Sequence, residues 1–319
     1  MNLLPAHPQN IHAVVVGGGT MGADVAIVLA RGGCRVTVVD PSEAMRGKLQ
    51  PHVLQALTSL GLARRAEAVT AVPALASVAW ADVALVVECI PENLAMKQQL
   101  FASLVECAPA EAALASNSSS FPISAIAQGL ATRARMLGLH FFMPAHLVPL
   151  VEVVRGPDTD PELADSLCAF MRGCGSVPVL VRRDKPGFLA NRLQHALARE
   201  AFAMIDEGMA SPEDVDAAVR FGFGFRYLAA GPLLQRDHAG LDVHRAAAAT
   251  IYPSLSNATE PAHVLQSQVD AGRLGMKTGA GFYDWPDSRK LAERARYDRL
   301  LQQGLALLAD ELPPLDTSF

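Results

Sequence analysis

The stretch that decides the fold runs from Ile11 to Asp40, IHAVVVGGGTMGADVAIVLARGGCRVTVVD. An apolar run, Ile11–Val16, breaks at three glycines and gives way to the small and aliphatic Gly22–Arg31. A second apolar run from Arg35 closes on Asp40. Short runs that are nearly continuous in apolar residues read as strands covered on both faces, which predicts a strand–helix–strand unit of a parallel sheet. Gly17-x-Gly19-x-x-Gly22 lies where strand gives way to helix, the context that gives the pattern meaning. Gly17 allows the tight turn, Gly19 lets the backbone approach a pyrophosphate, and Gly22 lets helix and strand pack closely. The helix N-terminus then turns free N–H groups and the positive end of its dipole toward the phosphates. Asp40, 18 residues after Gly22, offers a carboxylate to the ribose hydroxyls and repels a 2′-phosphate. The expected cofactor is therefore NAD rather than NADP, held by Gly17, Gly19, Thr20, Met21, Gly22 and Asp40.

Outward from this unit the alternation continues. Val83–Ile90 and Ala112–Ser116 read as strands, with a helix over Asn93–Glu106 between them. Met136–Phe142, Leu147–Val154 and Ser176–Val181 read as three more strands. The whole predicts an α/β fold with a Rossmann-type doubly wound sheet. At Asp184-Lys185-Pro186-Gly187 the pattern turns helical. Apolar residues from Phe188 to Ile205 recur at steps of three and four until Gly208, and helices are expected over Pro212–Phe221, Pro232–Thr250, Pro261–Ala271 and Ser288–Leu312. The reading is an NAD-binding domain over 1–185 and an all-α domain for substrate binding and dimerisation over 186–319, extended by a helical segment from about 286.

Composition narrows the class. Half of the 319 residues are apolar and 18% are charged, against about 25% in an average globular chain, which excludes a disordered protein. The net charge of −5 comes with no run of either sign, so a nucleic-acid partner is not expected. Five cysteines form no CxxC pair, which argues against a disulfide framework or a zinc site and for a reducing compartment. No metal is expected. Neither a signal-peptide pattern nor an apolar run of membrane-spanning length occurs, so the expectation is a cytoplasmic protein without membrane contact.

A second constellation is LGLHFFMPAHLVPLVEVV, residues 137–154. If its two strands pair as an antiparallel hairpin centred on His146, His140 and Glu152 fall opposite each other. That pairing suits a histidine base oriented by a carboxylate. A histidine in an aromatic run is by itself more often a core residue, and the spacing alone does not decide between the two.

The chain resembles the L-3-hydroxyacyl-CoA dehydrogenase family, which includes relatives acting on small hydroxy acids. The resemblance runs from about residue 11 to Trp285. It rests on GGGTMG at 17–22, VVECIPENLAMK at 86–97, ASNSSS at 115–120, LGLHFF and LVEVV within 137–154, KPGFLANRL at 185–193, AGPL and DHAGLD within 230–242, and GRLGMKTGAGFYDW at 272–285. It implies NAD-dependent oxidation of a hydroxyl to a carbonyl, with His140 as base and Glu152 as its carboxylate partner. It further implies that Ser119 and Asn191 hold the substrate oxygen, and that Ile90, Glu92, Lys97 and Asn117 lie along the cofactor. A homodimer is implied as well.

Two departures bear on the substrate. Met143 stands where the family usually has asparagine after His-Phe-Phe, which puts a polar contact near the nicotinamide in doubt. The segment between Asp40 and Ala81, where acyl-CoA enzymes of the family carry a basic arm, holds only Arg46, Lys48, Arg64 and Arg65. Arg226-Tyr227 resembles the lambda-crystallin branch, and an arginine there suits a free substrate carboxylate. The substrate expected from the resemblance is a 3-hydroxyacyl compound, or a small hydroxy acid or aromatic alcohol. Two other classes stand beside this reading, a non-catalytic NAD-binding protein of crystallin type and an NAD enzyme acting on imines or amines.

Overall fold

The computed structural model describes residues 3–316. They form two compact units, 3–191 together with 309–316, and 192–308. The first unit is built on one eight-stranded sheet: β1 (His12–Val16), β2 (Arg35–Val39), β3 (Val69–Val72), β4 (Val83–Glu88), β5 (Ala113–Ser116), β6 (Met136–Phe141), β7 (Leu150–Val154) and β8 (Val177–Val181). Their order is β3-β2-β1-β4-β5-β6-β7-β8, and only the β6–β7 pairing is antiparallel. Alternate residues of β1 serve opposite cores. Ala13 and Val15 pack with α1 (Thr20–Arg31), α2 (Glu43–Ser59) and α5 (Pro161–Gly173). Val14 and Val16 pack with α3 (Leu94–Cys107) and α4 (Ile123–Ile126). A strand with helices on both faces has no solvent side, which is why β1 is apolar from Ala13 to Val16, with His12 buried at its start.

α1 lies close to the sheet because its residues are small. A Cβ on Gly22 would stand 1.7 Å from the Gly17 carbonyl oxygen. α3 begins where Asn93 caps it, its side chain accepting the Met96 N–H at 3.0 Å. The edge strand β3 was not among the strands read from the sequence. Only Val69 of its four residues, VTAV, is buried, and the strand follows a 3-10 turn over Ala63–Ala68, so no apolar run marks it. β7 starts at Leu150 rather than Leu147, after Pro149.

The second unit is helical: α6 (Ala190–Asp206, whose first two residues belong to the first unit), α7 (Pro212–Ala218), α8 (Gly224–Arg226), α9 (Pro232–Ala239), α10 (Leu241–Ile251), α11 (His263–Asp270) and α12 (Asp287–Leu307). The expected helix over Pro232–Thr250 is broken in two at Gly240, whose φ of +94° no helix accommodates. No residue of α6–α12 is buried, and Leu233, Leu291 and Leu307 are 80%, 70% and 76% exposed. The expected terminal helix to Leu312 stops at Leu307, and residues 309–316 belong to the first unit. There Leu315 lies over Gly175, a Cβ on which would approach it to 2.6 Å, and Gln9 donates to Asp316 at 3.1 Å. Among the described residues no helix is long and apolar enough to cross a membrane.

Candidate active site

The antiparallel register of β6 and β7 sets His140 opposite Glu152, as the hairpin centred on His146 predicts. His140 is 2% and Glu152 0% exposed. Glu152 Oε2 lies 2.8 Å from His140 Nδ1, while Oε1 accepts the N–H groups of Leu189 at 3.0 Å and Ala190 at 2.8 Å. Those amides reach the carboxylate because the preceding turn passes through the left-handed region at Gly187 (φ +77°) and Phe188 (φ +49°). For a phenylalanine that conformation costs on the order of 1–3 kcal/mol. The Phe188 ring is buried, its centre 5.5 Å from that of His140, and Phe142 flanks the imidazole at 4.6 Å.

Burial pushes the Glu152 carboxyl upward, but the bonds from His140, Ala190 and Leu189 outweigh it and hold the group below its ordinary value. An ionised carboxylate only accepts, so the proton on this edge of the ring sits on Nδ1. Nε2 is thereby left as an acceptor, 3.0 Å from Ser119 Oγ. The three side chains form one line, Glu152–His140–Ser119.

Ser119 lies in a turn held from both sides. Asn117 Oδ1 accepts the Phe141 N–H at 2.9 Å, which ties the end of β5 to that of β6. Glu92 Oε1 accepts the Ser118 hydroxyl at 2.6 Å, the Ser120 hydroxyl at 2.6 Å and the Ser120 N–H at 3.0 Å. Burial raises the Glu92 carboxyl and these bonds, with Lys97, more than reverse it, bringing it down to about 2. Lys97, 1% exposed, reaches Glu88 at 2.6 Å, the Ile90 carbonyl at 3.2 Å and Glu92 at 3.3 Å. Glu88 is fully buried and accepts the Ser116 hydroxyl at 2.6 Å and the Ile90 N–H at 2.8 Å. A lysine so enclosed is tolerable only with a carboxylate on it.

At the same carboxyl edge of the sheet, past the end of β1, the glycine turn keeps its backbone bare. Gly17 has φ +103°, and a Cβ on Gly19 would meet nothing within 4 Å. Gly19 caps α1 with no side-chain bond, so the first N–H groups of the helix stay free. Asp40 accepts the Gly18 N–H on Oδ2 at 2.7 Å and the Ser42 N–H on Oδ1 at 2.8 Å. Its position is thereby fixed, with lone pairs left on both oxygens.

The NAD-binding domain of 3-hydroxyacyl-CoA dehydrogenase matches residues 12–185, and the C-terminal domain of the same enzymes matches 187–285. The chain belongs to the 3-hydroxyacyl-CoA dehydrogenase family. A 5-formyl-3-hydroxy-2-methylpyridine 4-carboxylate 5-dehydrogenase of Mesorhizobium japonicum is 32% identical over 290 residues, covering 88% of this chain and 94% of that protein. A solved structure bearing the same enzyme name, titled an NAD+-dependent dismutase, superposes with a TM-score of 0.87 at 30% identity, over 93% of this chain and 98% of the other. The human mitochondrial hydroxyacyl-coenzyme A dehydrogenase is 34% identical over 291 residues, covering 86% and 91% of the two chains. A (S)-3-hydroxybutyryl-CoA dehydrogenase from Ralstonia eutropha superposes less closely, with a TM-score of 0.70 at 29% identity over 86% and 99%.

As a member of this family the chain is an NAD-dependent oxidoreductase acting on hydroxyl groups. The bare Gly19, the free helix N-terminus and the fixed Asp40 suit the dinucleotide's pyrophosphate and ribose. Of the residues singled out in the sequence, His140, Glu152 and Ser119 form one hydrogen-bonded group. Glu92, Lys97, Ile90 and Asn117 belong to the network beside it. Thr20 opens α1, and Met21 packs partly against the core. Asn191 lies half-buried in the first turn of α6, just past the amides held by Glu152. Arg226 is an exposed residue of α8 in the second unit, and Met143 is 66% exposed. Glu88 and Gly18 escaped the sequence reading. The signal for Glu88 was a lone acid ending the apolar strand VALVVE, nine residues before Lys97. A Cβ on Gly18 would stand 3.1 Å from that of Asp40, so the middle glycine of the turn lies close against the Asp40 side chain.

Proposed function

We propose that the enzyme oxidises the carbinol of a small hydroxy acid, not carried on CoA, to the carbonyl, with His140 as general base. The observation that carries this reading is the line Glu152–His140–Ser119. Ser119 and Asn191 hold the substrate hydroxyl, and Nε2 of His140 takes its proton. Glu152 stabilises the imidazolium that forms, while its second oxygen stays bound to the Leu189 and Ala190 amides. Bound NAD supplies the acceptor for the hydride leaving the carbinol carbon. In the reverse direction the protonated His140 is the acid.

The small substrate is supported by the arm after β2. Arg46 donates to the carbonyls of Asp40 (2.8 Å) and Pro41 (2.9 Å), and Arg65 to those of Arg31 and Asp316. Among the described residues, only Lys48 and Arg64 of the arm's four cations keep their charge unengaged, a thin counterpart for the phosphates of CoA. The closer superposition on the pyridine-carboxylate enzyme points the same way. In the helical unit the Arg226 guanidinium makes no ion pair among the described residues and suits a carboxylate ligand.

The test is NADH formation with L-3-hydroxybutyryl-CoA beside a panel of free 3-hydroxy acids and aromatic hydroxymethyl acids. Turnover of free acids alone supports the proposal, and efficient turnover of the CoA ester overturns the small-substrate part. His140→Ala should abolish turnover and leave NAD affinity unchanged. Loss of NAD binding in that variant would make His140 structural instead.

We further propose that the helical unit is completed by a second copy of the chain. Helices without a single buried residue do not form a stable core alone, and their exposed leucines need cover. Sedimentation should give twice the chain mass, and a monomer refutes the proposal.

A further inference from the structure

We propose that Asp24, His52 and His146 form a binding site for a divalent transition-metal ion, apart from the residues that hold NAD and from the His140 group. Asp24 is an acid in the middle of α1, within the otherwise apolar GADVAIVLA, and is 2% exposed. Its Oδ2 is anchored by the Ala145 N–H at 3.0 Å. Its Oδ1 faces two imidazole nitrogens, His52 Nε2 at 2.8 Å and His146 Nδ1 at 3.0 Å, and all three donor atoms lie within 4.8 Å of one another. His146 Nδ1 is buried, yet its approach to Asp24 does not meet hydrogen-bond geometry, so that nitrogen has no satisfied partner. The three residues come from separate elements, α1, α2 and the β6–β7 connection.

The spacing selects the kind of ion. Nitrogen and carboxylate ligands sit about 2.0–2.2 Å from such metals, so two ligands at right angles are about 3 Å apart and two tetrahedral ones about 3.4 Å. The distances from Oδ1, 2.8 and 3.0 Å, lie near the right-angle value, with the two nitrogens within 4.8 Å of each other. Two imidazoles with one carboxylate favour Zn2+, Co2+ or Ni2+ over Ca2+ or Mg2+. The ion has a way in. His52 is half exposed and lines a hollow of about 200 Å³ beside Lys48 and the turn of Gly18, Gly19 and Thr20 assigned to the cofactor, from which water completes the coordination in the NAD-free chain. Once bound, the ion clips α1 and α2 to the connection that follows His140.

The experiment is calorimetric titration of the EDTA-stripped chain with Zn2+, and of a second sample with Co2+ followed by its visible absorption. One ion per chain is expected, together with a rise in melting temperature. His146→Ala and His52→Ala should each weaken binding by about tenfold or more. His52→Gln keeps a donor to Asp24 without an imidazole ligand, so it should retain the metal-free stability of the parent while binding as weakly as His52→Ala. His263→Ala, at an exposed site, should bind like the parent. No saturable binding, or binding in the His52 and His146 variants equal to the parent, would overturn the site.

Discussion

Replacing Glu152 by glutamine changes one oxygen for an NH2 group in a site with no room for error. The side chain is fully buried, and its two ends face different demands. Oε1 must accept two backbone N–H groups, and Oε2 must accept from Nδ1 of His140. A glutamine can keep only the backbone bonds without clash, so its NH2 turns to the imidazole. Nδ1 then has to accept, the ring proton moves to Nε2, and the group facing Ser119 becomes a donor that takes no proton. Where a buried carboxylate is exchanged in this way for an amide beside a catalytic histidine, turnover falls by about 10⁴-fold, or ~5 kcal/mol of barrier. NAD affinity should not move, because the glycine turn and Asp40 are untouched. The assay is NADH formation on the best substrate of the panel, with NAD binding followed by fluorescence. Nitrogen NMR of 15N-histidine-labelled protein reads the tautomer of His140 with no substrate at all. A loss of turnover below about tenfold, or an unchanged tautomer, would falsify the role given to Glu152.

Asp40→Ala should weaken NAD binding by about tenfold or more, since the ribose acceptor goes and the Gly18 and Ser42 amides lose their partner; an unchanged dissociation constant would refute the ribose contact. Gly22→Ala forces a methyl into the Gly17 carbonyl, 1.7 Å away. The turn must shift, and stability measured in urea should drop by about 3 kcal/mol or more, with NAD binding lost. Glu92 and Glu152 are both depressed in the folded state. Their stabilisation is therefore full above the unfolded value of about 4.5 and is lost as pH falls from there toward about 2, where Glu92 titrates. Urea midpoints measured across that range should decline on the acid side, and a flat profile would contradict the assignment. Lys97→Met leaves Glu88 charged and enclosed without its cation and should cost about 3–5 kcal/mol; a parent-like urea midpoint would show that the pair is dispensable.

Much of this arrangement was legible in the residues. The β1–α1–β2 unit announces itself because its strands are apolar on both faces and its turn needs glycine. The facing of His140 and Glu152 follows from two-residue strand periodicity and one loop. What was not legible depends on contacts between distant elements. β3 is an edge strand with no apolar run, so only its pairing with β2 defines it. The break at Gly240 looks in sequence like one tolerated glycine within a long helix. Asp24 reads as a stray acid until His52 and His146 are brought against it. Leu189 and Ala190 contribute backbone amides, which no side-chain pattern reports, and the bend that aims them depends on a phenylalanine at positive φ.

The return of residues 309–316 to the first unit has a consequence for how the protein is made. The helical unit is inserted, in chain order, into the unit that carries the sheet. All eight strands have been synthesised by Val181, yet the surface around Gly175 waits for Leu315 and the Arg31 and Arg65 region for Asp316. The sheet can assemble early, but its seal arrives more than a hundred residues later. A chain released at Trp285, where the family match ends, would carry every catalytic group named here and still lack the piece that closes its first unit.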